Sequence, residues 1–206
     1  MVGRIIATSE CLEEGARWLL GRDPRFGLAL TGPLPLRRNA GGFAVLLDII
    51  MGQQVSVASG DAIWRRLEVA GLTEADRVAA AADEDLRACG LSRQKIRYAQ
   101  ALARSGIDYA ALEGIADAEV IATLVAVPGI GRWTAEVYAM FALGRADVFA
   151  AGDLALQEAA RILFELPARP GEKALRQMAE EWAPWRAVAA RALWAYYRLR
   201  KSREGI

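Results

Sequence analysis

Asp153 is the carboxylate whose position in this sequence best suits chemistry. It follows Gly152 and precedes a helical apolar pattern, so the sequence predicts that it caps the beginning of a helix. The chain has no histidine and only two cysteines, Cys11 and Cys89, which excludes Ser-His-Asp and Cys-His nucleophiles, histidine-ligated zinc and four-thiolate clusters. Carboxylates, hydroxyls and backbone groups remain available. By itself the position of Asp153 is also that of an ordinary capping residue, and both interpretations stay open.

The segment Pro128-Gly129-Ile130-Gly131 separates two helical patterns. Proline cannot continue the preceding helix, and glycines permit backbone conformations that are closed to other residues. The helix that restarts at Gly131 directs unpaired amide N–H groups outward, with no glycine side chain to block an approaching anion. An isolated Pro-Gly-x-Gly is also typical of a plain corner between helices, so the segment alone indicates either a phosphate site or a turn.

The elements that must position these residues are helices. Apolar residues make up 54% of the 206-residue chain and charged residues 25%, which predicts a real core and excludes wholesale disorder. About ten helical patterns, separated by glycine, proline and capping residues, and no clear strand predict an all-α fold. No apolar run is long enough to cross a bilayer, and the first ten residues do not form a signal peptide, so we expect a cytoplasmic, membrane-free protein. The net charge of +1 predicts few phosphate contacts and only modest salt dependence.

Four stretches in order carry a resemblance to a known family. The sequence around residues 125–135, which contains the Pro-Gly-Ile-Gly segment, resembles the helix-hairpin-helix of the HhH-GPD DNA glycosylase superfamily. Residues 50–56 (Ile-Met-Gly-Gln-Gln-Val-Ser) resemble its helix–turn signature, 147–153 its catalytic loop, and 182–186 followed by Trp194 its C-terminal helix. Within the superfamily the chain is most similar to the DNA-3-methyladenine glycosylase II family, and the likeness covers most of the chain.

The resemblance implies a reaction and its main residues. Asp153 lies 22 residues after Gly131, as the family's catalytic aspartate does, and Asp147 is interpreted as structural. The implied activity is hydrolysis of the N-glycosidic bond of 3-methyladenine or 7-methylguanine in double-stranded DNA, with the carboxylate stabilising positive charge on the sugar. Trp133 and Trp194 match aromatic positions of the base pocket, where an electron-rich face attracts a cationic base.

The resemblance also implies how DNA is held. The target base is flipped out, and the matching turn is Gln53-Gln54, with Gln54 at the position of the side chain that fills the vacancy. The implied DNA-binding residues are Gln53, Gln54, Ser56, Gly129, Gly131, Arg132 and Thr134. Family members that also cut the strand carry a lysine where this chain has Trp133, so we expect a monofunctional enzyme without lyase activity.

No cofactor is expected to be required. The resemblance implies that a monovalent cation, Na⁺ or K⁺, can bind the backbone carbonyls of Val125, Val127 and Ile130. No cysteine follows Cys89, so we expect no iron–sulfur cluster. The few residues before the helical core leave no room for the mixed α/β domain of some bacterial members, and we therefore expect the minimal catalytic unit.

The predicted architecture is one glycosylase unit, residues 1–206, in two lobes. The first lobe is expected over about residues 46–125, and the second over about 1–45 and 126–206, with the hairpin at 127–132 and Asp153 in the cleft between the lobes. We expect a monomer, associated with the nucleoid if the source is bacterial. The alternatives are a related glycosylase for another lesion, such as an oxidised purine, a non-catalytic helix-hairpin-helix DNA-binding module, and a helical scaffold for protein partners.

Overall fold

The described residues, 2–38 and 40–204 of a computed structural model, are helical, and no strand forms among them. Short 3₁₀ turns cover Pro24–Leu28, Ala111–Gly114 and Ala179–Trp182. The α-helices are α1 (Ser9–Arg22), α2 (Phe43–Gly52), α3 (Val57–Val69), α4 (Ala75–Ala80), α5 (Asp83–Ala88), α6 (Arg93–Ala103), α7 (Asp117–Val125), α8 (Arg132–Phe141), α9 (Leu154–Leu163), α10 (Glu172–Met178) and α11 (Arg186–Glu204). The all-α prediction is confirmed, and no helix in the described part of the chain could span a membrane.

The chain forms two compact units. The first contains α2 to α7 and ends at Tyr138, within α8. Its core is built on α2, the most apolar of the helices, whose Leu46, Leu47, Ile50 and Met51 are fully buried. Helices α3 and α6 both pack on α2, and α4 packs on α6. This packing holds the two segments that carry site residues, the turn after α2 and the hairpin before α8.

The second unit joins Val2–Arg38 to the chain from Ala139 onward. Its helices α9 and α1 both pack on α11. A β-carbon at Gly15 of α1 would lie 2.7 Å from Val188 Cγ2 and 2.8 Å from Trp185 Cε3, so α1 and α11 approach closely because residue 15 has no side chain. The ring of Trp182 contacts those of Phe26, Phe149 and Phe164 in the core of this unit.

The hairpin and the chain up to residue 138 lie in the first unit, whereas the sequence predicted residues 126–206 in the second lobe. The physical reason is that the first two turns of α8 bond to groups on either side of α2. Gln53 Nε2, just after α2, donates to Thr134 Oγ1 at 3.0 Å. The backbone amide of Gly42, just before α2, donates to the Tyr138 hydroxyl at 2.8 Å. These bonds tie the hairpin and the beginning of α8 to the central helices.

Candidate functional site

The hairpin connects the end of α7 at Val125 to the beginning of α8 at Arg132. The Ile130 amide donates to the Val127 carbonyl at 3.1 Å, which closes the turn. Gly129 has φ +93°, and a β-carbon there would lie 2.3 Å from Tyr98 Cγ. Only glycine suits this position, because both the backbone angle and the aromatic ring behind it reject a side chain.

Gly131 has a different role from Gly129. It is exposed, its φ is not in the left-handed region, and a β-carbon there would meet no atom within 4 Å. The packing of the protein therefore does not require glycine at this position. Gly131 directly precedes α8, and the first amide N–H groups of a helix have no acceptor within that helix. Because Gly131 has no side chain, these donors stay accessible to a ligand in solvent.

The Gln53-Gln54 turn follows the last residue of α2. Gln53 is tied to Thr134 of α8, whereas the exposed Gln54 has φ +57°, which is strained for a residue with a side chain. The Lys95 ammonium donates to the Met51 carbonyl in the last turn of α2, and burial lowers the pKa of Lys95 below its ordinary value. The lysine thus fixes the end of the helix from which the turn begins.

The turn and the hairpin line one cavity of about 670 Å³ within the first unit. Of the predicted DNA-binding residues, the cavity brings together Gln53, Gln54, Gly129, Gly131 and Thr134. Lys95 and Tyr98, which the sequence analysis did not select, also line it. The sequence feature that could have indicated them is Ser92, the N-cap of α6, whose Oγ accepts from the Lys95 amide at 3.3 Å. This cap sets where α6 begins and therefore which face of the helix carries Lys95 and Tyr98.

Ser56 and Arg132 are not among the residues that line this cavity. Ser56 is the N-cap of α3, and its Oγ accepts from the Ser59 amide at 3.2 Å. The Arg132 Nε donates to Glu136 Oε1 at 2.9 Å, where the glutamate side chain is only 3% exposed and that of the arginine 59%. The buried carboxylate therefore anchors an arginine whose head reaches solvent beside the hairpin.

Asp153 caps α9, as the sequence predicted. Its Oδ1 accepts from the amides of Ala155 at 2.9 Å and Leu156 at 3.0 Å. The carboxylate is partly buried and is not enclosed in the packed interior. The two amide bonds at the beginning of the helix fix the orientation of the carboxylate.

Trp194 of α11 gives the same carboxylate oxygen a third donor. Its Nε1 donates to Asp153 Oδ1 at 3.2 Å. The Trp194 ring lies 5.7 Å, centroid to centroid, from that of Phe141. The family resemblance implies that the face of Trp194 lines a base pocket. The hydrogen bond from its edge to Asp153 was not foreseen, because it joins residues 41 positions apart.

A buried arginine extends this cluster. The Arg191 guanidinium carbon lies 4.5 Å from the centre of the Phe141 ring, and its Nη2 donates to the Met140 carbonyl at 3.2 Å. Burial, together with the charge of Arg37, lowers the pKa of Arg191 to about 10. In the second unit, Arg191, Phe141, Trp194 and Asp153 thus form a continuous series of contacts that ends at the carboxylate.

The remaining predicted residues are Trp133 and the second aspartate of the catalytic loop. Trp133 lies in the first turn of α8, in the first unit, and is 36% exposed. Asp147 forms a two-pronged ion pair with Arg186, at 2.7 and 2.8 Å, which supports its interpretation as a residue that orders the loop. The cleft between the lobes, with Trp133 and Asp153 acting on one nucleotide, stays a prediction.

The hairpin carbonyls have the chemistry that a monovalent cation requires. Neutral oxygen ligands suit hard cations. The Val127 carbonyl accepts from the Ile130 amide, while the described backbone–backbone hydrogen bonds beyond the helices give the carbonyls of Val125 and Ile130 no donor. The carbonyl oxygens of Val125, Val127 and Ile130 are therefore of the chemical type that binds Na⁺ or K⁺, and binding of such a cation stays a prediction.

Comparisons with known proteins identify the family and the fold. A family model described as HhH-GPD superfamily base excision DNA repair protein matches residues 47–184. The crystal structure of a DNA-3-methyladenine glycosidase from Bacillus halodurans is 31% identical, with a TM-score of 0.81 over 97% of this chain and 95% of that one. A Schizosaccharomyces pombe 3-methyladenine DNA glycosylase in complex with abasic DNA is 27% identical, with a TM-score of 0.76 over 88% of this chain and 95% of that one.

The family model and these structures together define the class: the chain belongs to the HhH-GPD superfamily and has its all-α helix-hairpin-helix fold. Among curated relatives, DNA-3-methyladenine glycosylase 1 of Schizosaccharomyces pombe is 36% identical over 116 residues, which are 54% of this chain and 51% of that protein. The chain thus spans about half the length of this relative.

Proposed function

We propose that this protein is a DNA glycosylase that hydrolyses the N-glycosidic bond of alkylated purines, 3-methyladenine and 7-methylguanine, in double-stranded DNA. The observation that carries the proposal is the state of Asp153: a partly buried carboxylate with three N–H donors on Oδ1, in a member of this superfamily. A carboxylate held in this way is preorganised, because little reorientation is needed when charge develops beside it.

Hydrolysis of this N-glycosidic bond requires one negative charge in a fixed position. A purine methylated on a ring nitrogen is cationic and leaves readily, so strong acid catalysis is unnecessary. As the bond breaks, positive charge develops on the sugar, and the Asp153 carboxylate stabilises it and orients or deprotonates the attacking water. A chain without histidine can perform this reaction, since no step requires proton transfer from an imidazole.

Trp194 acts on the carboxylate as well as on the base in this proposal. Its Nε1–H holds Asp153 Oδ1, and its electron-rich face would attract a cationic base, as would that of the exposed Trp133. The tryptophan is thus a positioning residue for the carboxylate. Its ring and its N–H have separable effects, because phenylalanine retains an aromatic ring and lacks the donor.

The turn after α2 assigns different roles to its two glutamines. Gln53 is bonded to Thr134 and holds the turn against α8, whereas Gln54 is exposed and strained. We therefore assign the wedge to Gln54, whose amide can hydrogen bond in the space left by the flipped base. Flipping costs a few kcal/mol, less at a damaged pair, and the wedge offsets part of this cost.

The hairpin binds the DNA backbone in this proposal. The amides around Gly129 and Gly131 would donate to a phosphate, with Arg132 beside them, and the backbone carbonyls of Val125, Val127 and Ile130 would hold Na⁺ or K⁺. When bound, such an ion supplies positive charge next to the phosphate. The chain's own contribution is an open approach, because Gly131 presents no side chain.

We propose monofunctional hydrolysis without strand cleavage. Trp133 stands where lyase-active relatives carry lysine, and a tryptophan cannot form a Schiff base. Lys95 lines the cavity by the hairpin, but its ammonium is engaged by the Met51 carbonyl. Borohydride should therefore trap no protein–DNA adduct, and a trapped adduct would refute this part of the proposal.

The experiment compares base release from methylated DNA by the wild type and by Asp153→Asn. Two unit charges about 4 Å apart interact by about 4 kcal/mol at an effective dielectric constant of about 20, so loss of the charge should slow release by about a thousandfold. Asp147→Asn is the matched control, because it removes a carboxylate that is paired with Arg186. Near-normal turnover by Asp153→Asn would refute the proposal.

Substrate range is tested with the same proteins on duplexes that carry single defined lesions. Release of 3-methyladenine and 7-methylguanine is expected. Release of an oxidised purine alone would favour the related glycosylase named as an alternative. DNA binding without release of any base, unaffected by Asp153→Asn, would favour a non-catalytic DNA-binding module.

A further inference from the structure

A second cavity in the first unit has no part in the proposed reaction. It has a volume of about 800 Å³ and lies between the C-terminal end of α3 and the helices α4 and α5. We name it the arginine groove after Arg65, Arg66 and Arg77, which line it. Its other walls are mostly small and apolar, formed by Val69, Ala70, Gly71, Leu72, Ala80, Ala81, Ala88 and Cys89, and Asp85 completes the lining.

Two of the three guanidinium groups occupy space that a glycine leaves open. The Arg66 Nε donates to the Cys89 carbonyl at 2.7 Å, and its Nη2 lies 2.5 Å from where a β-carbon of Gly90 would stand. The Arg77 Nη1 lies 2.9 Å from the corresponding point of Gly71. Both glycines have φ in the left-handed region, +94° and +69°. The backbone thus makes room for both heads at the groove.

The charge of the groove is not balanced within the described structure. Arg65, Arg66 and Arg77 form no ion pair with a carboxylate of the described residues, whereas Arg87, in the adjacent helix α5, pairs with Glu84. Asp85 is the one carboxylate among the described lining residues, and it accepts from the Ala82 amide at 3.3 Å. Three positive groups and one negative group leave the lining with a charge of +2.

The groove lies at the C-terminal end of α3 and the Gln53-Gln54 turn lies before its beginning, but the groove and the cavity lined by the turn and the hairpin meet at Cys89 and Gly90, where the Arg66 head packs against Gly90. The Gln53-Gln54 turn precedes the first residue of this helix, and Arg66 and Val69 lie in its last turn. A helix of 13 residues is about 20 Å long at about 1.5 Å per residue. The Val69 end of the groove is therefore about this distance along α3 from the turn.

We propose that the arginine groove binds an acidic peptide segment of a partner protein that carries one bulky apolar side chain. Carboxylates of the segment complement the three guanidinium groups. The apolar side chain occupies the alanine-lined floor beside Val69, which is 91% exposed. A DNA backbone matches the charge but has no apolar group for this floor, so the lining favours peptide over nucleic acid.

The probe is a short fluorescein-labelled peptide of aspartates around one phenylalanine, and the readout is fluorescence anisotropy with the full chain at low salt. Arg65→Gln combined with Arg77→Gln should weaken binding about tenfold. Ala88→Glu should weaken it comparably with all three arginines in place, because it adds a carboxylate to an exposed lining position. Arg97→Gln, an exposed arginine of α6 outside the groove, is the matched control and should bind as the wild type does.

Two further probes separate the sources of binding. Replacing the phenylalanine of the peptide by alanine should weaken binding, and a labelled undamaged duplex should bind the groove variants and the wild type equally. Equal peptide affinity for all variants, or no peptide binding at all, would overturn the proposal. Loss of duplex binding in the groove variants would assign the groove to DNA and would also overturn it. Base release and thermal unfolding of the variants should match the wild type.

Discussion

Replacing Trp194 by phenylalanine removes one N–H donor from Asp153 and retains an aromatic ring. The lost hydrogen bond is long, 3.2 Å, and the two backbone amides at 2.9 and 3.0 Å remain on the same carboxylate oxygen. The net value of such a bond is about 0.5–1.5 kcal/mol. If that value is lost from the transition state, base release slows by about two- to twelvefold.

The assay is single-turnover base release from methylated duplex, with DNA affinity measured separately. The rate constant at saturating enzyme should fall while affinity for the duplex stays unchanged, because phenylalanine keeps an aromatic face for the base and lacks only the N–H that holds the carboxylate. Trp18→Phe, which changes a partly buried tryptophan of α1, is the matched control and should leave both quantities unchanged. An unchanged rate with weakened affinity would refute the positioning role. A loss as large as that expected for Asp153→Asn would refute the magnitude.

Four other substitutions have defined outcomes. Gly129→Ala should lower the free energy of unfolding by about 2–4 kcal/mol, because the backbone there has φ +93° and the new β-carbon would overlap the Tyr98 ring. Gly131→Ala should change the free energy of unfolding by less than about 0.5 kcal/mol but should weaken duplex binding. Thermal unfolding measures the stability of both variants, and fluorescence anisotropy measures their affinity for the duplex. Gln54→Gly should leave stability equal or up to about 1 kcal/mol higher, because it relieves φ +57°, and should slow base release from paired DNA more than from single strands. Burial lowers the pKa of Lys95 in the folded protein below the value of 10.5 for a free lysine. Between these two pKa values the folded protein binds fewer protons than the unfolded chain, so stability rises with pH. Chemical denaturation should therefore show that the wild type gains stability relative to Lys95→Met across this alkaline window.

The features that the sequence predicted correctly have local causes. Asp153 was recognised as an N-cap because a capping residue and the helix it begins are adjacent in the chain. Gly129 was recognised as a turn residue because Pro128 before it and Gly131 two residues after it already interrupt the helix. The all-α class follows from the period of the apolar residues, which is also local.

The features that were missed depend on distant pairs. The bond between Trp194 and Asp153 spans 41 positions, and that between Gln53 and Thr134 spans 81. No periodicity or spacing rule specifies such a pair, since it arises only when helices pack. The boundary of the first unit was displaced for the same reason: Tyr138 belongs to it because its hydroxyl accepts from the amide of Gly42, 96 positions away.

The dual role of Asp153 decides which substitution can test the chemistry. The same oxygen that accepts from Trp194 also caps α9, so alanine would remove the cap, at about 1 kcal/mol, and would leave the tryptophan N–H without its acceptor, at a further 1–3 kcal/mol. A slow Asp153→Ala protein would therefore not distinguish a catalytic carboxylate from a structural one. Asparagine is as good an N-cap as aspartate and retains an oxygen for these three donors, so it removes the negative charge while keeping the cap and the bond from Trp194. If Asp153→Asn unfolds at the wild-type temperature and releases base a thousandfold more slowly, the carboxylate acts through its charge; if the two proteins differ only in stability, Asp153 is a capping residue and the enzyme's negative charge must be sought elsewhere.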